Sequence, residues 1–356
     1  MYYIGIDIGS TASKVAVYDD KKNDFVELFM IPTGWSGVEA SSQILKMLEE
    51  KNIKKEDSYF VGTGYGRVAI EYADKTITEI TCHAKGANFL FSNLDGTLID
   101  IGGQDTKIIS IKNGKVDNFI MNDKCSAGTG RFIELMANSL GCSISTLLEE
   151  AQKCESTDVV ISSMCTVFAE TEVIGLKASG KEKKEIAYAI VNSVANKVSS
   201  LCGKFKDDTY FLTGGLCMFD YLVKALEKAL GGKVITDKRG QYAGAIGAAI
   251  IGFEKKSNNK VINNTKNNIA ENNEHNKEKR LIITFNTTTD VMRAEKTFKN
   301  ITAQTNEVLG NIISIPSEIF AGCGMCWESE VVFEEKLINI LKENDIEYDN
   351  CYKIEK

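Results

Sequence analysis

The first apolar run, Tyr3 to Ile8, predicts a strand, and after a short polar turn a second run, Val15 to Tyr18, predicts another. The same succession returns later, with Thr97 to Ile101 and Ile108 to Ile111 on either side of a polar turn. Aligned without gaps, Asp7-Ile-Gly-Ser-Thr-Ala-Ser-Lys14 and Asp100-Ile-Gly-Gly-Gln-Asp-Thr-Lys107 carry Asp, Ile, Gly and Lys at the same places. An internal repeat of strand, tight turn and strand therefore organises the first two thirds of the chain. A further apolar strand ends at Leu212-Thr-Gly-Gly215 and leads into a helical stretch, Met218 to Leu230, closed by Gly231-Gly232. Between these, Phe132, Leu135, Met136 and Leu140 fall on one helical face, and Thr166 to Ile174 reads as another helix.

The pattern divides the chain. Residues 1–95 form a first half, completed by a helix at about 241–253, and residues 96–240 form a second half. From 254 to 279 the sequence turns Asn- and Lys-rich with almost nothing to bury, which predicts a flexible linker. Residues 280–356 then read as a small α+β domain: strand Leu281 to Phe285, helix Thr287 to Asn300, strand Asn311 to Ile315 stopped by Pro316, helix Val331 to Asn344, and a last strand near Ile346 to Tyr352.

Composition narrows the class. With 356 residues, 43% hydrophobic and 26% charged, the chain has the make-up of a globular protein of two or three domains. A net charge of -7 supplies no global basic field, so no nucleic-acid partner is expected. The start lacks a basic segment and interrupts its apolar run with Asp7, and the longest apolar-plus-Gly run, Ala243 to Phe253, is too short for a bilayer. The expected location is cytoplasmic, with no membrane partner. Ten cysteines stand against two histidines, and reduced cysteines read as core residues, metal ligands or redox thiols.

The turns carry the candidate chemistry. An Asp at the end of a buried strand demands a facing cation or set of donors. The Gly after it lets backbone N–H groups approach a ligand, and Ser, Thr and Lys add donors suited to phosphate oxygens. No P-loop is present, and Gly62-Thr-Gly-Tyr-Gly66 lacks dinucleotide-binding spacing. Cys125 and Cys165 each stand at a predicted helix start, where N–H groups and the dipole stabilise a thiolate or an anionic cluster. Two thiolates are half the set of a 4Fe-4S cluster, and a two-fold dimer would supply four; spacing alone favours buried structural cysteines. Cys323-Gly-Met-Cys326 reads as a redox dithiol, half a metal site, or two cysteines in a turn.

The duplicated Asp-x-Gly hairpin followed by a Gly-Gly turn resembles the actin, sugar kinase and Hsp70 superfamily. The fold class implied is α/β: a duplicated, ribonuclease H-like ATPase with a nucleotide cleft between two related halves, plus the small C-terminal α+β domain. Asn122-Asp-Lys-Cys-Ser-Ala-Gly-Thr-Gly-Arg-Phe132, Cys165-Thr-Val-Phe-Ala-Glu170 and Asp100 to Lys107 together look like the 2-hydroxyacyl-CoA dehydratase activators, of the BadF/BadG/BcrA/BcrD-type family that includes benzoyl-CoA reductase ATPase subunits. The resemblance runs from about Tyr3 to Phe253 and takes in Thr63 to Arg67 and Thr81 to Ala84, to which no role is assigned. It implies a homodimer that hydrolyses ATP to ADP, with one 4Fe-4S cluster held by Cys125 and Cys165 of each subunit. Ferredoxin or flavodoxin would supply the electron, and an iron-sulfur dehydratase or reductase would receive it. Asp7 and Asp100 would face Mg2+, partly through water; Gly9, Ser10, Thr11, Ser13 and Lys14 would hold the phosphates from one side, Gly102 and Gly103 from the other. Gln104 would sense the γ-phosphate or orient water, and Gly214-Gly215 would lie under the adenosine. A sugar or carboxylate kinase and a non-enzymatic, actin-like module are the alternatives. Leu281 to Glu295 and Ile315 to Gly324 resemble a domain described as a sulfur or selenium carrier.

Overall fold

In the computed structural model each matching segment forms a hairpin in a five-stranded sheet of its own. The structure describes residues 1–92, 94–161, 165–269, 279–285, 288–305, 309–314, 316, 325–344 and 346–355. The first half comprises β1 (Tyr2–Ile8), β2 (Ala12–Asp19), β3 (Asp24–Pro32), α1 (Gly37–Glu50), β4 (Ser58–Thr63), β5 (Lys75–Thr76) and α2 (Glu79–Leu90). The second comprises β6 (Gly96–Ile101), β7 (Thr106–Lys112), β8 (Lys115–Asn122), α3 (Gly130–Ser139), α4 (Ile144–Gln152), α5 (Thr166–Ala178), α6 (Lys183–Leu201), β9 (Thr209–Gly214), α7 (Asp220–Leu230) and β10 (Lys233–Thr236). The sheets run β3-β2-β1-β4-β5 and β8-β7-β6-β9-β10. In each, the first strand pairs antiparallel with the second and parallel with the fourth. One topology occurs twice, as the duplicated actin, sugar kinase and Hsp70 fold requires.

Strand alternation aims the two aspartates. Along β1, Ile4, Ile6 and Ile8 enter one core with Ile44 and Leu48 of α1, while Tyr3 enters another with Ala249. Asp7 follows Tyr3 and Gly5 on that second face, because successive side chains point to opposite sides. Along β6, Ile99 and Ile101 join the large core beneath α3, α4, α6 and α7, whereas Leu98 packs with Ala84 and Ala87 of α2. Asp100 shares the Leu98 face. Both carboxylates thus point toward α2.

The chain returns to the first sheet through α8 (Ala243–Ile269). Gly5 lies against the backbone of Ala245 and Ala249, leaving no room for a Cβ. Residues 254–269, expected as a flexible linker, are helical: no Gly or Pro interrupts them, and without a breaker a polar stretch prolongs the helix already begun. Residues 270–278 of that linker lie outside the described set.

Met1–Asn263 and Asn264–Lys356 are two compact units. The second holds β11 (Lys279–Thr284), α9 (Thr288–Thr305), β12 (Asn311–Ser314), β13 (Met325–Glu330), α10 (Glu334–Glu343) and β14 (Asn350–Glu355). Its antiparallel sheet runs β12-β13-β11-β14 and buries Leu281, Ile283, Phe298, Trp327, Leu337 and Leu341. Strand β13 has no counterpart in the elements read from the sequence, and it carries Cys326.

Candidate functional site

A cleft of about 230 Å3 opens between the two hairpin turns. Gly9, Ser10, Thr11 and Lys14 line it from the first turn, Gly102 and Gly103 from the second, and Gly214 and Gly215 from the end of β9. The turns approach each other closely: a Cβ on Gly103 would run into the Thr11 hydroxyl. Gly214 must be glycine on two counts, since its φ is +91° and a Cβ would strike the Ile101 backbone.

Asp7 and Asp100 form the floor, and both are buried. Thr213 on the neighbouring β9 donates from its hydroxyl to Asp100 Oδ1 at 2.9 Å. The Lys107 ammonium lies 3.5 Å from Asp100 Oδ2, 2.9 Å from Glu79 Oε1 and 2.6 Å from Asp105 Oδ2. From α2, His83 places Nδ1 3.3 Å from Asp100 Oδ1 and Nε2 3.7 Å from Asp7 Oδ2. Burial works against each charge, yet at Asp7, His83 and Asp100 the opposite charges prevail. The Asp100 and Asp7 carboxylates push His83 up to about 10, and His83 and Lys107 hold Asp100 well below the usual carboxylate range. Asp7 is likewise lowered, by His83 and Lys14, whereas burial raises Glu79.

The donor set suits a hard divalent cation. Asp7 Oδ1 is buried without a hydrogen-bond partner among the described residues, and carboxylate oxygens of Glu79 and Asp100 lie within 4.8 Å of each other, while the charged His83 ring beside them is no ligand. Oxygen donors at this spacing match a cation that keeps part of its water shell.

Two expected phosphate-site residues stand elsewhere. Ser13 is fully buried, its hydroxyl 2.9 Å from Thr33 Oγ1, which donates to Gly9 O. Alternation along β2 turns Ala12 and Lys14 to the cleft and Ser13 away from it, so Ser13 braces the turn from behind. Gln104 is exposed on the second turn and is not among the residues lining the cleft. Sequence reasoning missed Glu79, His83, Asp105, Lys107, Tyr65 and Gln241, all of which line it. The spacing of Glu79 and His83, one helical turn apart before the small-residue face of α2, was the available signal.

The cysteine loops adjoin. Ser126 and Thr166, each just after its cysteine, share a hydrogen bond of 2.5 Å between hydroxyls. Asn122 donates to the carbonyls of Cys125 and Ala127, both at 2.9 Å. The loop is also tied to the second turn: Gly130 N donates to Gly102 O at 2.9 Å, Arg131 N to Gly103 O at 2.8 Å, and Thr106 Oγ1 to Gly128 O at 2.7 Å. Cys165 is the exposed N-cap residue of α5, a helix that buries only Ala169 and Val173 and leaves Val167, Phe168 and Ile174 exposed. Two thiols on adjoining loops, one of them open to solvent, fit half the ligand set of a cluster shared with a second chain. In the C-terminal unit, Cys323 lies outside the described residues. Cys326 is buried and its thiol is pushed up to about 11, the reverse of a reactive thiolate.

The twin sheets and the cleft between their turns are the fold of the actin, sugar kinase and Hsp70 type. Residues 4–252 match the BadF/BadG/BcrA/BcrD ATPase family, and the chain belongs to it. A second match, to Se/S carrier protein-like domains, covers residues 280–353. The chain is 45% identical to the (R)-2-hydroxyglutaryl-CoA dehydratase activating ATPase of Acidaminococcus fermentans over 261 residues, 72% of this chain and 98% of that one. The crystal structure of (R)-2-hydroxyglutaryl-CoA dehydratase component A from the same organism superposes with a TM-score of 0.68 at 42% identity, covering 72% and 99% of the two chains. The activator of the 2-hydroxyisocaproyl-CoA dehydratase from Clostridium difficile, solved with bound ADPNP, gives 0.68 at 38% identity, covering 73% and 97%. Among the described residues no helix is long and apolar enough to cross a membrane.

Proposed function

We propose that this ATPase is a one-electron activator of a 2-hydroxyacyl-CoA dehydratase or a related acyl-CoA reductase, working in the cytoplasm of an oxygen-free cell. The observation that carries the reading is the set of hydrogen bonds joining the second turn to the Cys125 loop, from Gly102, Gly103 and Thr106 to Gly130, Arg131 and Gly128. A ligand that moves the turn must move the loop. The relatives named as dehydratase activators supply the partner class.

Ser10, Thr11 and Lys14 would bind the phosphates of ATP from one side, and backbone N–H groups of Gly102 and Gly103 from the other, with Gly214 and Gly215 beneath the adenosine. Asp7 and Asp100 would hold Mg2+ largely through water, a cation that neutralises charge developing on the phosphates. Phosphoryl transfer to water rests mainly on positioning, so closing the two turns on the triphosphate is the productive step. A γ-phosphate role for Gln104 requires that closure, because its side chain is exposed here.

Cys125 and Cys165 of two subunits would hold one 4Fe-4S cluster, which when bound supplies a carrier for a single low-potential electron from ferredoxin or flavodoxin. The apolar surface of α5 beside Cys165 suits a second copy of the chain, since exposed Val167, Phe168 and Ile174 would be covered in a homodimer. The test is iron and sulfide content of anaerobically purified Cys125→Ser and Cys165→Ser: each should lose the cluster, and full retention in either ends the ligand assignment.

A further inference from the structure

Helix α2 brings to the cleft a side chain that the reading above does not use. His83 is buried, and among the described residues it is the one ion-pair partner shared by Asp7 and Asp100, which come from different repeats. Its position is fixed from several directions. A Cβ on Gly244 would lie 2.5 Å from Asp7 Oδ2 and 2.8 Å from His83 Nε2, so α8 presses against the pair at the one residue that allows it. Gly86 meets the Ala243 carbonyl and Gly247 meets the Cys82 carbonyl, locking α2 to α8. On its other side α2 packs Ala84 and Ala87 against Leu98 and Ile109 of the second sheet. The helix that carries His83 is thereby anchored to both halves.

We propose that His83 is a positioning residue: its ring fixes the separation of Asp7 and Asp100 and fills the space between them, so that a divalent cation enters only with a nucleotide. Two buried carboxylates facing each other across an open gap would otherwise collect a free cation. With the ring between them, the cation must find part of its ligand set on the phosphates. The ATPase would then be spared a metal bound without substrate. This inference rests on the cleft being the nucleotide site.

The experiment is Mn2+ binding to the full-length, anaerobically purified protein, with and without ADP, followed by Mn2+ EPR. The wild type should bind Mn2+ weakly alone and tightly with ADP. His83→Gln should bind Mn2+ alone at least about tenfold more tightly than the wild type, shrinking the dependence on ADP. A variant that binds free Mn2+ no better than the wild type overturns the proposal. If His83→Gln does not fold, Gly244→Ala decides, because its methyl intrudes on the same pair: Mn·ADP binding should weaken by about tenfold while metal-free ADP binding stays within about twofold. Equal losses with and without metal, or no loss, overturn it. Failure of the wild type to bind ADP at all would sink the nucleotide reading itself, a result distinct from either.

Discussion

The two hairpin turns began as copies and now differ in kind. The first turn offers side chains: Ser10 and Thr11 are exposed, Lys14 is half-buried, and the backbone behind them is braced by Ser13 and Thr33. The second offers backbone: Gly102 and Gly103 face the cleft, while its Lys107 is consumed by Asp100, Asp105 and Glu79. Even the residue at the matched position divides the roles. Ser13 bonds to Thr33, just after β3 in its own sheet, whereas its counterpart Thr106 donates to Gly128 in the loop after Cys125. Under the proposed function, one copy would hold phosphate and the other would transmit what it holds. Both turns share one frame, and they differ in a few residues at matched positions.

That contrast is breakable at single residues. The largest effect is expected at Gly103→Ala, where a methyl must displace the Thr11 hydroxyl and separate the turns. A shift of this size at the phosphates should lower kcat/KM for ATP roughly a hundredfold, about 2.7 kcal/mol, measured by phosphate release. A loss under threefold would show that the turns need not meet. The smallest is expected at Ser13→Ala, which removes one buried hydrogen bond and should cost about 1 kcal/mol of stability with KM for ATP changed less than about twofold. A tenfold rise in KM would return Ser13 to the phosphate site.

Much of this was legible in the sequence because its signals are contiguous. Asp7 to Lys14, Asp100 to Lys107 and Leu212 to Gly215 each lie at a strand end, and the strand pattern alone brings them to one edge of a sheet. The cysteine motifs were readable for the same reason, as residues before helix starts. Glu79 and His83 were not, since only the packing of α2 between two sheets carries them to the aspartates. Ser13 was misplaced because a run of polar turn residues hides where strand alternation resumes, and β2 already begins at Ala12. The polar stretch after Phe253 lacked both a core face and a breaker, and the absence of a breaker prevailed through Ile269. Strand β13 was hidden because Cys323-Gly-Met-Cys326, where it begins, drew a dithiol, metal-site or turn reading in place of a strand.

The central claim is that nucleotide in the cleft reaches the metal centre through the second turn. The most direct measurement is EPR of the reduced, anaerobic protein before and after addition of Mg·ADP and Mg·ADPNP. The account predicts a cluster signal whose shape differs among the three states. A protein free of iron, or one whose signal is identical with and without nucleotide, would contradict it.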